Sequence, residues 1–240
     1  RIDLVIAWIF YKPITILKLI LYFIRKRPTI VNLHFPDNQL FECFLLKYIF
    51  DFKLIISLHG NEVERLSYLK KTELRYKYYK YLFESATLIT GCSKYLINKL
   101  KNIYPNIDSE ICMHLYNGVN KHFIDQHVSK SKNNVIFAAG RFEPVKGFDL
   151  LINAFNSQYD LQLFIAGGEK QEFLNLGLEL KEGISIIGKL SAKEIAAYMS
   201  ESKITVIPSR IDSYGIVVAE ALCCGSPVVA TNVGGIPEVI

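Results

Sequence analysis

Short apolar runs alternate with longer stretches of helical periodicity in the first half of the chain. A β-branched or continuously apolar run of four to nine residues is typical of a buried strand, and apolar spacing of three and four is typical of a helix. The predicted strands are 2–10, 29–34, 53–58 and 87–91. The predicted helices are 13–26, 39–50, 62–83 and 93–102. This alternation predicts parallel strand–helix–strand units.

The alternation stops near residue 103 and starts again after residue 134. The later predicted strands are 135–139, 161–166, 184–187, 204–208 and 227–230. The later predicted helices are 146–156, 172–180, 191–200 and 214–224, of which the third opens with a capping box at Ser191 and Glu194. The prediction is therefore an α/β chain with two Rossmann-like, doubly wound parallel-sheet domains. They cover 1–125 and 135–240, with a linker at 126–134.

Charge changes sign near the same boundary. The chain has 28 basic and 23 acidic residues, and half of its residues are hydrophobic, which excludes intrinsic disorder as its main state. Residues 1–130 contain 19 basic and 11 acidic residues, a net charge of +8, whereas 131–240 contain 9 and 12, a net charge of −3. A basic first half can face nucleic acid, an anionic membrane or a phosphorylated substrate, and composition does not decide among them.

Cysteine usage and hydropathy predict the compartment. The five cysteines include no C-x-x-C pair, which is typical of a reducing cytoplasm and gives no metal motif. The most apolar run, 14–24, is too short to span a bilayer, so it is either a core helix or an amphipathic membrane contact. The chain begins without methionine and ends inside a motif, which predicts a fragment cut at both ends.

Candidate chemistry lies where predicted strands end, because ligands of open α/β sheets bind there. After strand 135–139 come Gly140 and Arg141, with Lys146 five residues further along. A guanidinium fork and an ammonium suit the oxygens of a diphosphate. A solvated loop with unrelated charges is the alternative interpretation. A Gly-Gly turn at 234–235 is weak evidence by itself.

The second loop leads into the helix at 214–224. Gly215 lets a ligand approach the backbone, and the start of a helix favours an anion. Asp212 and Glu220 are eight residues apart, about 12 Å along a helix. That length matches the reach from a ribose to a sugar beyond a diphosphate. Alternatively, Asp212 is only an N-cap and Glu220 a buried, paired carboxylate.

These loops together resemble the donor-binding domain of GT-B glycosyltransferases, in particular the retaining family 4 (glycosyl transferases group 1). The matching elements are Gly140-Arg141, Lys146-Gly147, Ile165-Ala166-Gly167, Pro208-Ser209-Arg210 and Gly234-Gly235-Ile236-Pro237-Glu238. Asn117-Gly118-Val119-Asn120 resembles the family's interdomain Asn-Gly-Val-Asp element, and His59-Gly60 its His-Gly element. The resemblance is specific over 135–240 and looser over 30–125. It implies two domains facing a cleft.

The resemblance also implies a role for each matched residue. Arg141 and Lys146 hold the donor diphosphate, Asp212 contacts the transferred sugar, and His59 faces that sugar across the cleft. The remaining donor-binding residues that it implies are Gly140, Gly215, Ile216, Val217, Glu220, Asn117 and Gly118. Asp212 stands where the family has Glu, and Tyr214 where it has Phe. The family's glycine-rich acceptor loop and closing helices are not in this sequence.

The implied function is transfer of a sugar, with retention of configuration, from a nucleotide-sugar donor to a cell-envelope glycan or lipid-linked acceptor. No Asp-x-Asp motif is present and two cations can neutralise the diphosphate, so neither a metal nor another cofactor is expected. The alternatives are a non-catalytic fragment or partner subunit that binds a nucleotide or a membrane, and an epimerase or glycogen-synthase-like enzyme.

A peripheral site on the inner face of the membrane is a separate expectation. It rests on the +8 half and on a basic, tyrosine-rich helix face made of Lys70, Lys71, Arg75, Lys77, Tyr78, Tyr79 and Lys80. A solvated helix face is the alternative. Nucleic-acid binding is not expected, because no recognisable module accompanies the basic residues.

Overall fold

A computed structural model of the protein describes residues 2–36, 39–129, 131–156 and 160–240. The chain divides into two compact units, Arg1–Leu115 and Tyr116–Ile240, and each is built around its own parallel sheet. Among the described residues, no helix is long and apolar enough to cross a bilayer.

The first unit has a four-stranded sheet in which the strands lie in chain order. The strands are β1 (Ile30–His34), β2 (Lys53–Leu58), β3 (Leu88–Gly91) and β4 (Cys112–His114), all parallel. The helices are α1 (Ile2–Lys26), α2 (Leu40–Ile49), α3 (Asn61–Leu66), α4 (Leu74–Glu84) and α5 (Lys94–Ile103). Fully buried Leu54, Ile56 and Ile89 place the core against the central strands.

Three predictions for this unit were wrong. The strand expected at 2–10 lies within α1, because a continuous apolar run suits a helix as well as a buried strand. The helix expected at 62–83 is broken into α3 and α4. Ser67 Oγ bonds the carbonyl of Glu64, and the Glu73 carboxylate accepts from the backbone of Lys70, so a local turn replaces the helix. The predicted connector at 103–134 contains β4, too short a strand to show a pattern.

The second unit has a five-stranded sheet with a reversal of strand order. Its strands are β5 (Asn133–Ala139), β6 (Gln162–Ala166), β7 (Ile184–Ile186), β8 (Ser202–Ile207) and β9 (Val228–Ala230), in the order β7-β6-β5-β8-β9. Its helices are α6 (Lys121–Ile124), α7 (Phe148–Ala154), α8 (Lys170–Leu174), α9 (Ala192–Glu201) and α10 (Ile216–Cys223), with short 3-10 turns at Pro144–Lys146 and Ile236–Glu238. The switch point lies between β5 and β8.

Both faces of this second sheet are covered. Neighbouring residues of β5 point to opposite faces, so Ala138 packs with Phe148 and Phe173 from α7 and α8, while Phe137 packs with Met199 of α9. The predicted capping box of α9 is confirmed by both of its hydrogen bonds at Ser191 and Glu194. The sheet is therefore doubly wound, as expected of a Rossmann-like domain.

The segment predicted as a linker, 126–134, lies within the second unit, although residue 130 is outside the described residues. Just before it, Phe123 of α6 is buried among side chains of the second core. Lys132, within the segment, donates to the carbonyls of Ser200 and Gly225. These contacts attach the segment to the second unit. The segment begins ten residues after the first residue of that unit.

Candidate functional site

Four loops at the carboxyl end of the second sheet, those after β5, β6, β8 and β9, pack at backbone distance. A Cβ atom on Gly147 would lie 2.1 Å from the carbonyl oxygen of Pro208, and one on Gly167 would lie 1.8 Å from that of Gly140. A Cβ on Gly234 would lie 1.7 Å from the carbonyl oxygen of Asp212. All three glycines have positive φ, so both space and conformation require glycine. The sequence therefore fixes these loops at the switch point through backbone contacts.

Lys146 and Asp212 meet in this loop cluster. The Lys146 ammonium lies 2.9 Å from Asp212 Oδ2, and the two side chains are only 22% and 13% exposed. Lys146 occupies the 3-10 turn after β5, not the predicted α-helix, since Gly147 is left-handed and α7 begins at Phe148. The methylene stem of Lys146 runs beside Gly140, with 3.8 Å from its Cδ to the position of a Cβ there.

The other oxygen of Asp212 organises the start of α10. Asp212 Oδ1 accepts hydrogen bonds from the backbone N–H groups of Gly215, at 2.8 Å, and Tyr214, at 3.3 Å. Gly215 has φ +90°, a conformation in which it precedes the first helical turn. The N–H groups of Ile216 and Val217 open α10 and have no acceptor within the helix, which makes this end electropositive.

Glu220 lies one turn before the end of α10 and is half-buried. Burial alone raises the pKa of its carboxyl group from the ordinary 4.5 to about 7. Among the described residues the carboxylate has no hydrogen-bond or ion-pair partner, so the interpretation of Glu220 as a buried, paired carboxylate does not hold. A desolvated carboxylate without a partner is costly and is often found at a functional site.

Arg141 does not join the Lys146–Asp212 pair. Its guanidinium is 66% exposed and bonds Glu143 at 2.8 Å. Arg210, a third cation nearby in sequence, forms a bidentate pair with Asp149 of α7, with N–O distances of 2.6 and 2.5 Å. Lys146 is therefore the cation that the structure places against Asp212.

Asn117 and Gly118 are exposed, and no described hydrogen bond connects them to the loop cluster. A Cβ on Gly118 would meet nothing within 4 Å. The adjacent Tyr116 was not predicted, yet its ring stacks on that of Tyr214 at 5.9 Å, beside Gly215. Contact between residues so distant in sequence leaves no local signal.

His59 lies in the first unit, directly after β2. Its Nε2 is 3.0 Å from Nδ1 of His34, the last residue of β1, and its ring stacks on Phe35 at 4.0 Å. Sequence reasoning identified His59 and missed His34. His34 could have been identified from the predicted strands, because the carboxyl ends of two neighbouring parallel strands lie at one edge of a sheet.

The basic helix face in the first unit differs from its prediction. Tyr76 and Tyr79 of α4 are buried, and Tyr78 packs on Phe44 of α2. The lysines of this region are exposed, and one of them, Lys80, pairs with Glu84. Tyr76 and Tyr79 therefore belong to the core, and the charged surface is formed by the lysines and the exposed Arg75.

Within the described ranges, no three His, Cys, Asp or Glu side chains lie close enough together to hold a metal ion. Independence from metals is still a prediction, and activity after EDTA treatment would test it.

Residues 119–240 match the family model described as glycosyl transferases group 1. An uncharacterized glycosyltransferase of Methanocaldococcus jannaschii is 28% identical over 214 residues, which are 88% of this chain and 58% of that protein. N-acetyl-alpha-D-glucosaminyl L-malate synthase of Bacillus anthracis is 24% identical over 90% of this chain and 60% of its own length. The chain thus spans less than two thirds of these relatives.

The solved structure of sucrose-phosphate synthase from Thermosynechococcus elongatus is similar in fold. Its TM-score is 0.72 at 19% identity, over 94% of this chain and 61% of that one. Together with the two parallel sheets, this likeness confirms the predicted GT-B class of α/β fold.

Proposed function

We propose, from the premise that the chain belongs to the glycosyl transferases group 1 family, that the protein moves a sugar from a nucleotide-sugar donor to an acceptor, with retention of configuration. The observation that carries the proposal is the Lys146–Asp212 pair at the amino end of α10, with the Glu220 carboxylate, which has no partner among the described residues, further along that helix. An anion site and a carboxylate on one helix suit a diphosphate joined to a ribose.

The donor diphosphate binds at Lys146 and at the first N–H groups of α10. An ammonium that is mostly buried gives a stronger electrostatic contact than an exposed one, and a helix amino end adds positive potential. Arg141, which is exposed beside Glu143, closes on the outer phosphate oxygens when the donor is present. These charges stabilise the diphosphate as it leaves.

Glu220 accepts hydrogen bonds from the two ribose hydroxyl groups. Its carboxylate has no partner among the described residues, so the ribose hydroxyl groups of the nucleotide sugar supply the missing hydrogen bonds. Because burial raises the pKa of Glu220 to about 7, the ionised acceptor form is present above that pH. Donor affinity should therefore rise as the pH passes through about 7.

Asp212 has both oxygens bonded to protein groups, which defines its part in the reaction. Oδ1 caps α10, and Oδ2 holds Lys146. When the diphosphate draws the ammonium away, Oδ2 becomes available to a hydroxyl of the transferred sugar. Asp is one methylene shorter than the family's Glu, so this contact selects a sugar that sits closer to α10.

The transfer takes place directly between the nucleotide sugar and the acceptor hydroxyl. The bond between the anomeric carbon and the diphosphate breaks, the acceptor hydroxyl attacks from the face that the diphosphate leaves, and the hydroxyl proton passes to the departing diphosphate oxygen. No side chain is assigned as a covalent nucleophile. His59 contacts the transferred sugar, and the acceptor is a cell-envelope glycan or lipid-linked saccharide.

A donor screen tests the proposal. UDP-, GDP- and ADP-sugars are compared by thermal shift, and the sugar that stabilises the protein is then assayed for transfer and for donor hydrolysis. Lys146→Met should abolish the shift, whereas Lys193→Met, an exposed lysine of α9, should keep it. Stabilisation without transfer or hydrolysis would favour a non-catalytic nucleotide-binding protein. No shift with any donor, or an equal shift in Lys146→Met, would contradict the proposal.

A further inference from the structure

Two imidazoles and a phenyl ring form a compact group at the carboxyl edge of the first sheet. His34 Nδ1 and His59 Nε2 are 3.0 Å apart, and the planes of the two rings differ by 25°. The Phe35 ring stacks on the ring of His59, with its plane 20° from that of His59. One nitrogen of each imidazole is thus engaged by the other imidazole, and His59 Nδ1 has no hydrogen-bond partner in the part of the chain that the structure describes.

The backbone holds this group rigidly in place. Phe35 has φ +49°, a conformation that a bulky residue adopts only when its surroundings impose it. The carbonyl of the next residue, Pro36, accepts a hydrogen bond from the hydroxyl of buried Tyr79. On the other side, Glu62 Oε1 accepts from the backbone N–H groups of His59 and Gly60. Both strand ends are therefore anchored independently of the imidazole contact.

The imidazole contact restricts how His59 can ionise. Two neutral rings share one hydrogen between Nδ1 and Nε2, and one added proton leaves a single N–H between them. A second proton would point two N–H groups at each other. Protonation of both rings at once is therefore unfavourable at this nitrogen–nitrogen distance. The charged or titratable groups that face His59 are His34 on β1, Glu62 on α3 and the Cys92 thiol, whose Sγ is 3.6 Å from the His59 carbonyl.

We infer that His34 is a positioning residue for His59: its hydrogen bond to Nε2 fixes the ring plane of His59, so that Nδ1 faces outward. The effect of His34 on sugar transfer rests on the proposed function, whereas its effect on the His59 imidazole does not. The assignment is consistent with a lowered pKa of His59, which burial chiefly causes; Glu62 opposes this shift, and His34 makes a smaller contribution that adds to it.

Two substitutions separate the hydrogen bond from packing. His34→Asn keeps a polar atom near the position of Nδ1, whereas His34→Phe keeps an aromatic ring and removes every hydrogen-bonding atom. His122→Phe, at an exposed histidine of α6 in the other unit, is the matched control. The chain contains five histidines, so their ring signals can be followed individually by NMR across a pH titration.

The imidazole should respond as follows. In the wild type, burial and the neighbouring His34 lower the pKa of His59. In both His34 variants, His59 titrates in one step at a higher pH, because the like charge is gone. In His34→Phe, which removes the hydrogen bond to Nε2, the ring nitrogen shifts of His59 should change, and in His34→Asn they should stay closer to the wild-type values. Unchanged His59 titration in His34→Phe would overturn the inference.

Kinetics with the donor from the screen give the second measurement. His34→Phe should lower kcat about tenfold with little change in donor KM, and His34→Asn should restore most of kcat. Equal loss in both variants would mean a packing role and would also overturn the inference. If the wild type transfers no sugar while the NMR result is as expected, the proposed function fails and the assignment of His34 stands. Circular dichroism checks that each variant is folded.

Discussion

The two units build the carboxyl edges of their sheets in different ways. In the second unit the strand order reverses between β5 and β8, and the loops there approach one another through glycine backbone. In the first unit the described strands follow chain order, and the edge carries side chains in contact, His34 with His59. Backbone contacts tolerate no substitution, while side-chain contacts tolerate conservative ones. A small substitution at the carboxyl edge should therefore lower the unfolding free energy more in the second unit than in the first.

Gly234→Ala should be the most damaging of these changes. Its Cβ would lie 1.7 Å from a carbonyl oxygen at φ +58°, so the loop must shift, and a loss of about 3 kcal/mol or more in unfolding free energy is expected. The matched variant in the first unit is Gly91→Ala, where the nearest atom is Cδ1 of the Ile97 side chain at 2.9 Å. Urea unfolding measures both, and equal losses would contradict the contrast.

Asp212→Asn should come next, at about 1–2 kcal/mol. The amide keeps the cap on α10 but loses the charge that balances Lys146, whose side chain is mostly buried. Asp149→Asn is the control, because it removes a more exposed partner of Arg210 and should cost less. Urea unfolding at neutral pH gives the comparison. A larger loss in Asp149→Asn would show that the Lys146–Asp212 pair does not organise the loops.

Local sequence was sufficient for much of the second unit. A capping box, glycines after strands and continuous apolar runs identified its strands, the helices α9 and α10 and the loops around Lys146 and Asp212, whereas the helices predicted at 146–156 and 172–180 are the shorter α7 and α8. The short strand β4 and the break between α3 and α4 depend on tertiary pairing and on side chain–backbone bonds, which periodicity does not reveal. Likewise, the stacking of Tyr116 on Tyr214 and of His34 on His59 joins residues far apart in sequence.

Glu220→Gln tests the buried carboxylate of α10. Since the pKa of Glu220 is raised from 4.5 to about 7 in the folded state, the folded protein holds a proton that the unfolded chain has lost between these values. The contribution of Glu220 to the free energy of unfolding is fully present below about pH 4.5 and is lost as the pH rises through about 7. After discounting for solvent screening of a half-exposed group, Glu220→Gln should be more stable than wild type by about 1 kcal/mol at pH 8.

Chemical unfolding at pH 5 and pH 8 makes this measurement. The two proteins should be equal at pH 5, and the variant should bind the donor weakly at both values. If the difference in unfolding free energy between the wild type and Glu220→Gln is the same at pH 5 and pH 8, the raised pKa of Glu220 is contradicted.

The charge contrast between the units predicts the smallest effect. We propose that exposed Lys70, Lys71 and Lys77 of the first unit attract anionic lipid. Replacing all three by Gln should weaken sedimentation with phosphatidylserine vesicles several-fold and leave the weak binding to phosphatidylcholine vesicles unchanged. The matched control replaces Lys170, Lys193 and Lys203 of the second unit. Equal binding to both kinds of vesicle would contradict an electrostatic attachment.

Calorimetric titration with nucleoside diphosphates tests most directly whether Lys146 and the start of α10 form a diphosphate site. Of UDP, GDP and ADP, at least one should bind the wild type, and its nucleoside monophosphate should bind far more weakly. Lys146→Met should raise the Kd of that diphosphate about a hundredfold, and Lys193→Met should leave it unchanged. A Kd that is the same in Lys146→Met and the wild type, or equal affinities for diphosphate and monophosphate, would contradict the account.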